Sequence, residues 1–173
     1  LNDFLIMGSD GKPAFTAQKI HISVVPTSLT GGGIPAVRDV LLDQPHMAYR
    51  IDAAGKNNWS FLPKSEAPAQ KKDPQPFPSI RLQKLEIAGL QAEYQDATGM
   101  DAKIEDMNLT VNGFNPGSAG TFDLAIQTRL DRPAENIHQQ SKITGKGSLT
   151  QSNTGDKIDY DANIDAALNG LAS

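Results

Sequence analysis

Residues 37–55 read VRDVLLDQPHMAYRIDAAG, and residues 82–99 read LQKLEIAGLQAEYQDATG. Val37 matches Leu82, Val40 matches Leu85, Leu42 matches Ile87 and Tyr49 matches Tyr94; Gly55 then meets Gly99 with one gap. In both copies apolar residues alternate with polar ones, break briefly, alternate again up to a Tyr and end at a Gly. Alternation with period two marks strands that are apolar on one side only. Each copy therefore reads as a hairpin, strand–break–strand, and the recurrence predicts a sheet built by adding repeated units.

The same alternation runs outward in both directions. Ile20, Ile22 and Val24 alternate with His21 and Ser23, and Met47, Tyr49 and Ile51 with Ala48 and Arg50. Phe122, Leu124, Ile126 and Leu130 fall on one side, opposite Asp123, Gln127 and Arg129. In 158–168, Ile158, Tyr160, Ala162, Ile164, Ala166 and Leu168 oppose Asp159, Asp161, Asn163 and Asp165. Turn residues separate these runs at Gly31-Gly32-Gly33, Asp52–Gly55, Asn115-Pro116-Gly117 and Asn153–Asp156. Only Thr27-Ser28-Leu29 could open a helical turn. The prediction is a mainly β fold: a curled, antiparallel meander of repeated hairpins with an apolar concave face and less than about 15% helix.

Residues 63–78, PKSEAPAQKKDPQPFP, hold five of the chain's eleven prolines and almost nothing apolar. They read as an extended, solvated, flexible linker. It would join a first β-hairpin unit, 1–62, to a second β unit, 79–173, with strands at 80–88, 91–96, 102–112, 120–130, 137–150 and 157–168.

Composition narrows the function. At 173 residues the chain can bury a core. A net charge of −4 disfavours a nucleic-acid backbone as partner. The absence of cysteine excludes disulfides, thiolate metal sites and cysteine catalysis. No apolar run approaches the roughly 18 residues of a membrane-spanning helix, and no signal peptide precedes the strands. The start at Leu1 and the stop at Ser173 read as those of a fragment.

Motifs for chemistry are scarce. His21, His46 and His138 show neither HxH nor HxxxH spacing, so no metal site is expected. Asp159, Asp161 and Asp165 project in a row from one strand and do not converge as a Ca²⁺ cage; pairing with Lys142 and Lys146 on the neighbouring strand accounts for them. Gly145-Lys146-Gly147-Ser148 lacks the upstream glycine of a phosphate loop and reads as strand glycines at a bend. There is no G-x-S-x-G and no acid/base pair, hence no catalytic residue and no cofactor. Asn58-Trp59-Ser60 and Asn108-Leu109-Thr110 match glycosylation sequons, and both lie in apparent strands. Trp59 and Phe61 share a side as edge-strand aromatics closing the core.

The segment Leu41–Leu62, with its Leu-x-x-Pro break, alternating Met47, Tyr49 and Ile51, Gly55 and Asn58-Trp59, resembles the AsmA family of Gram-negative envelope proteins. So do the upstream Ser28-Leu29, Ile34, Val37 and Val40 and the downstream run Ile104, Met107, Leu109 and Val111. The likeness covers about residues 15–130, and the Asn-Trp segment is its most specific part. It implies a periplasmic segment acting in outer-membrane biogenesis, in a protein held at the inner membrane by an anchor helix that lies outside this sequence. It further implies a relation to bridge-like lipid-transfer proteins, with a phospholipid or other envelope lipid as partner and no catalysis.

The residues expected to line the apolar face are Ile20, Ile22, Val24, Val40, Leu42, Met47, Tyr49, Ile51, Leu85, Ile87, Tyr94, Leu109, Val111, Phe122, Leu124 and Ile126. Periodicity alone fits two occupants of that face: a lipid, or a second sheet in a self-filled sandwich of structural or protein-interaction type.

Overall fold

The structure is a computed structural model, and it describes residues 1–26, 36–62, 81–152 and 157–170. Of these, 76% are strand and 3% helix, so the low helix content expected from period-two alternation holds. Nine strands form one curled sheet: β1 (Asn2–Met7), β2 (Pro13–Val24), β3 (Ala36–Asp43), β4 (His46–Arg50), β5 (Arg81–Gln95), β6 (Asp101–Phe114), β7 (Ala119–Arg132), β8 (Ile137–Gln151) and β9 (Ile158–Asn169). A single 3₁₀ turn at Pro133–Glu135 lies between β7 and β8. The spatial order is β1-β2-β3-β5-β6-β7-β8-β9, with β4 lying between β2 and β5 beyond the end of β3. No second sheet covers the first among the described residues.

All neighbours pair antiparallel except at one seam, where β3 and β4 run parallel to β5. That seam is made by the two repeat copies. Val37 faces Leu82, Val40 faces Leu85, Leu42 faces Ile87, and Tyr49 faces Tyr94, so the sequence match is the ladder register itself. The copies are not hairpins, however. The second is one unbroken strand, β5, where the alternation predicts two strands with a break at 89–90. In the first, Asp43-Gln44-Pro45 interrupts the strand without turning it. Gln44 N–H donates to the Ala88 carbonyl at 2.8 Å and Gln91 N–H to the Pro45 carbonyl at 2.9 Å, so pairing with β5 continues across the break. Pro45 cannot donate to a ladder, and such a residue is tolerated in a sheet at a bulge.

Three neighbouring strands carry irregularities at one level. Gln44 has φ 45° and Gly89 φ 64°, and the register of β6 against β7 shifts between Ile104 and Asp106. Gly89 N–H donates to the Asn108 side chain at 2.9 Å, and Asn108 donates in turn to Asp106 at 2.9 Å, which ties the irregular level together. Aligned bulges add twist and bend a sheet, the local source of its curl.

The expected linker at 63–78 and helical turn at 27–29 lie outside the described residues. The sheet itself continues from β3 and β4 into β5 across the boundary between the two expected units.

Candidate functional site

Residues directly opposite each other in a ladder stand on the same side of a sheet. β7 pairs with β8 without any register shift, so Phe122, Leu124, Ile126, Thr128 and Leu130, spaced by two, share one side. Following each across the ladders gives five rows. The first is Ile22–Val40–Leu85–Val111–Phe122–Gly147–Ala162, and the second Ile20–Leu42–Ile87–Leu109–Leu124–Gly145–Ile164. The third is Leu90–Met107–Ile126–Ile143–Ala166. The fourth is Met47–Ala92–Ile104–Thr128–Ser141–Leu168, and the fifth Tyr49–Tyr94–Ala102–Leu130–Gln139. At strand spacings of about 4.8 Å and rises of about 3.3 Å, this face measures roughly 29 by 26 Å.

Almost every expected lining residue therefore falls in one of these rows. Val24 pairs with Val37 just beyond the first row. Ile51 stands outside them: it bridges Asn57 past the end of β4, beside a polar cavity. The rows also gather residues that alternation alone does not select. Leu90 is out of phase with Ile87 until the Gly89 bulge is known, and Ile143 is embedded in the polar stretch Gln139–Lys146. Two polar side chains in the fourth row satisfy each other, Thr128 Oγ1 bonding Ser141 Oγ. In the fifth, the Tyr49 and Tyr94 rings stack 8° from parallel at 6.0 Å.

The reverse side carries the charges. Lys146 Nζ meets Asp123 at 2.8 Å, and Arg129 contacts Glu105 and Asp131 at 3.4 and 3.0 Å. Lys146 is thus spent on β7 and does not pair with the aspartates of β9, as the alternation had suggested. Asp159 instead meets Lys157 at 2.7 Å, while Asp161 and Asp165 oppose Ser148 and Thr144. Lys142 opposes Ala167. No group of three or more metal-ligating side chains occurs among the described residues.

The Asn58-Trp59 pair proves structural in its contacts. Residues 58–62 are turn, not strand. The buried Asn58 side chain accepts a bond from Arg50 N–H at 2.9 Å and donates to the Ala48 carbonyl at 3.0 Å; Trp59 Nε1 donates to that same carbonyl at 2.8 Å. Asn58 thereby serves as the missing ladder partner where β4 runs past the start of β2. Trp59 stacks on Phe61 at 6.0 Å, beside this edge. The sequence offered the Asn-Trp resemblance, which gives no role, and a reading of Trp59 and Phe61 as edge-strand aromatics closing the core; the two lie instead in turn, with Phe61 46% exposed.

Beside it, Arg50 Nε meets Asp10 at 2.8 Å and its Nη1 meets Glu93 at 3.2 Å, while Nη2 donates to the Pro13 carbonyl at 2.8 Å. The adjoining cavity of about 330 Å³ is lined by Asp10 and Arg50 and by Lys12, Asp52 and Asp96. Its central cation, Arg50, is fully engaged and forms a fixed structural knot. The hydrogen bond from Arg50 holds the Asp10 carboxyl below its ordinary value of 3.8. A depressed carboxylate stabilises the fold above its unfolded pKa, and that contribution is lost as pH falls through the lower folded value. Asp10→Asn should therefore melt below the wild type at neutral pH, and the gap should close on acidification below the usual carboxylate range. Melting curves across that range check this; a gap independent of pH would contradict it.

No family model, curated protein or solved structure matches the chain. No helix among the described residues is long and apolar enough to cross a membrane.

Proposed function

We propose that this chain is a non-catalytic, lipid-handling segment whose apolar face, lining the concave side of the curl, binds or conducts acyl chains. The observation that supports this most strongly is five apolar rows on one side of a single sheet with no described element laid over them. A contiguous apolar surface of many hundreds of Å² exceeds what monomeric soluble proteins usually expose. Acyl chains suit it because their contact is non-directional and contributes about 0.8 kcal/mol for each buried CH₂. The resemblance of Leu41–Leu62 to AsmA proteins supports a place in the periplasm, in a protein anchored at the inner membrane and acting in outer-membrane biogenesis. Phospholipid or another envelope lipid is then the partner.

Asp at Met47 or Ile87 puts an unpaired charge into the fourth or second row, at a cost of several kcal/mol against an acyl chain. Titration of a fluorescent phospholipid should show saturable binding by the wild type. Met47→Asp and Ile87→Asp, with their circular dichroism unchanged, should bind at least about tenfold more weakly. Equal binding by folded variants, or none by the wild type, would favour a protein-interaction module instead.

A further inference from the structure

The two edges of the sheet are built differently. β1 is six residues long, holds Asp3 at φ 51° and shifts register against β2 between Ile6 and Met7. Short and irregular edges resist further pairing. β9 has the opposite character. It spans 12 residues, its register with β8 is continuous from Gln140↔Asn169 to Gln151↔Ile158, and no Pro, Gly or Lys interrupts it. Its other side has no ladder partner among the described residues.

The side chains of β9 specify what would fit there. On the apolar side Tyr160, Ile164 and Leu168 are 77%, 65% and 69% exposed, whereas Leu124, in the row of Ile164 but flanked by strands on both sides, is only partly exposed. On the polar side Asp161 and Asp165 face uncharged hydroxyls of β8, although elsewhere on this side acids meet bases, as in Lys146 with Asp123. A neighbour on the open edge would thus gain by bringing cations on one side and apolar groups on the other. A second copy of the chain does not meet this need. Two β9 strands paired antiparallel about Asn163 set Asp161 against Asp165, and β1 of another copy brings Asp3 and no Lys or Arg. Like charges placed opposite each other are destabilising.

We propose that β9 is a strand-addition edge for an extended segment in which Lys or Arg alternates with apolar residues. Main-chain bonds supply the docking, and the aspartate row supplies the selection. The inference is independent of lipid binding.

The test uses two labelled peptides as long as β9, one alternating Lys with Val and one alternating Glu with Val. The Lys peptide should bind in a salt-sensitive manner and slow amide exchange across residues 158–169. The double variant Asp161→Lys, Asp165→Lys, altered only at exposed positions, should lose about tenfold in affinity for the Lys peptide and prefer the Glu peptide. Unchanged exchange protection in β5–β7 would verify that the variant is folded. No protection of 158–169, equal affinity for both peptides, an unreversed preference in the variant, or self-association of the wild type through β9 would each overturn the proposal.

Discussion

Replacing Gly147 with valine is expected to detach β9 from the sheet while leaving β2–β7 assembled. Gly147 lies in the first row between Phe122 and Ala162. A Cβ at that position would run into the Asp161 carbonyl and stand 2.8 Å from both Ala162 Cα and Phe122 Cε1. Two of these atoms are backbone of β9, so the clash cannot be relieved by a rotamer change. Overpacking of this kind costs about 3 kcal/mol. β9 has little to set against it, since all of its residues but Ala162 are exposed. Gly145, two residues earlier, is the control: its Cβ would meet Ile164 Cγ1 at 3.6 Å, an ordinary contact, so Gly145→Ala should be tolerated. Hydrogen exchange at 158–169 reads the difference. Wild-type protection in Gly147→Val would contradict the packing described.

Asn58→Leu should be the most destabilising single change near the β4 edge. The side chain is 2% exposed, and its loss leaves the Arg50 N–H without its acceptor and removes one of two donors from the Ala48 carbonyl. A buried group left unsatisfied costs about 1–3 kcal/mol, and the bulkier leucine must also fit beside the strand. A total near 3 kcal/mol corresponds to a fall of about 10 °C in melting midpoint for a chain of this length. Trp59→Phe should cost only about 1 kcal/mol, because the Ala48 carbonyl keeps Asn58. If Asn58→Leu melts like the wild type, the amide is not the ladder surrogate that its geometry indicates.

The repeat was legible because residues facing each other across a ladder, on one side of a sheet, share an environment. Val40 with Leu85 and Leu42 with Ile87 are similar for that reason, and Tyr49 stacks on Tyr94. Alternation, however, reports which side a residue occupies and carries no information on strand direction. The parallel seam therefore read as two hairpins. Gly89 belongs to a turn or a bulge with equal ease on local grounds; its bond to Asn108, 19 residues away, selects the bulge. The same bulge hid Leu90 from the lining set. Asn58 was visible as a motif, but its role depends on where β2 begins beside β4, which no local pattern encodes. The aspartates of β9 read correctly as a polar row, whereas the partner of Lys146 depended on which of two flanking strands lay within reach.

The apolar face as a lipid-binding surface is tested most directly by a phospholipid carrying a photoactivatable group at the end of one acyl chain. Irradiated with the wild-type protein and mapped by peptide mass spectrometry, it should label row residues such as Leu109, Leu124 and Ile126. The intervening Thr110, Asp123 and Gln127, on the reverse side of the same strands, should remain unlabelled. Labelling spread equally over both sides, or absent altogether, would contradict the account.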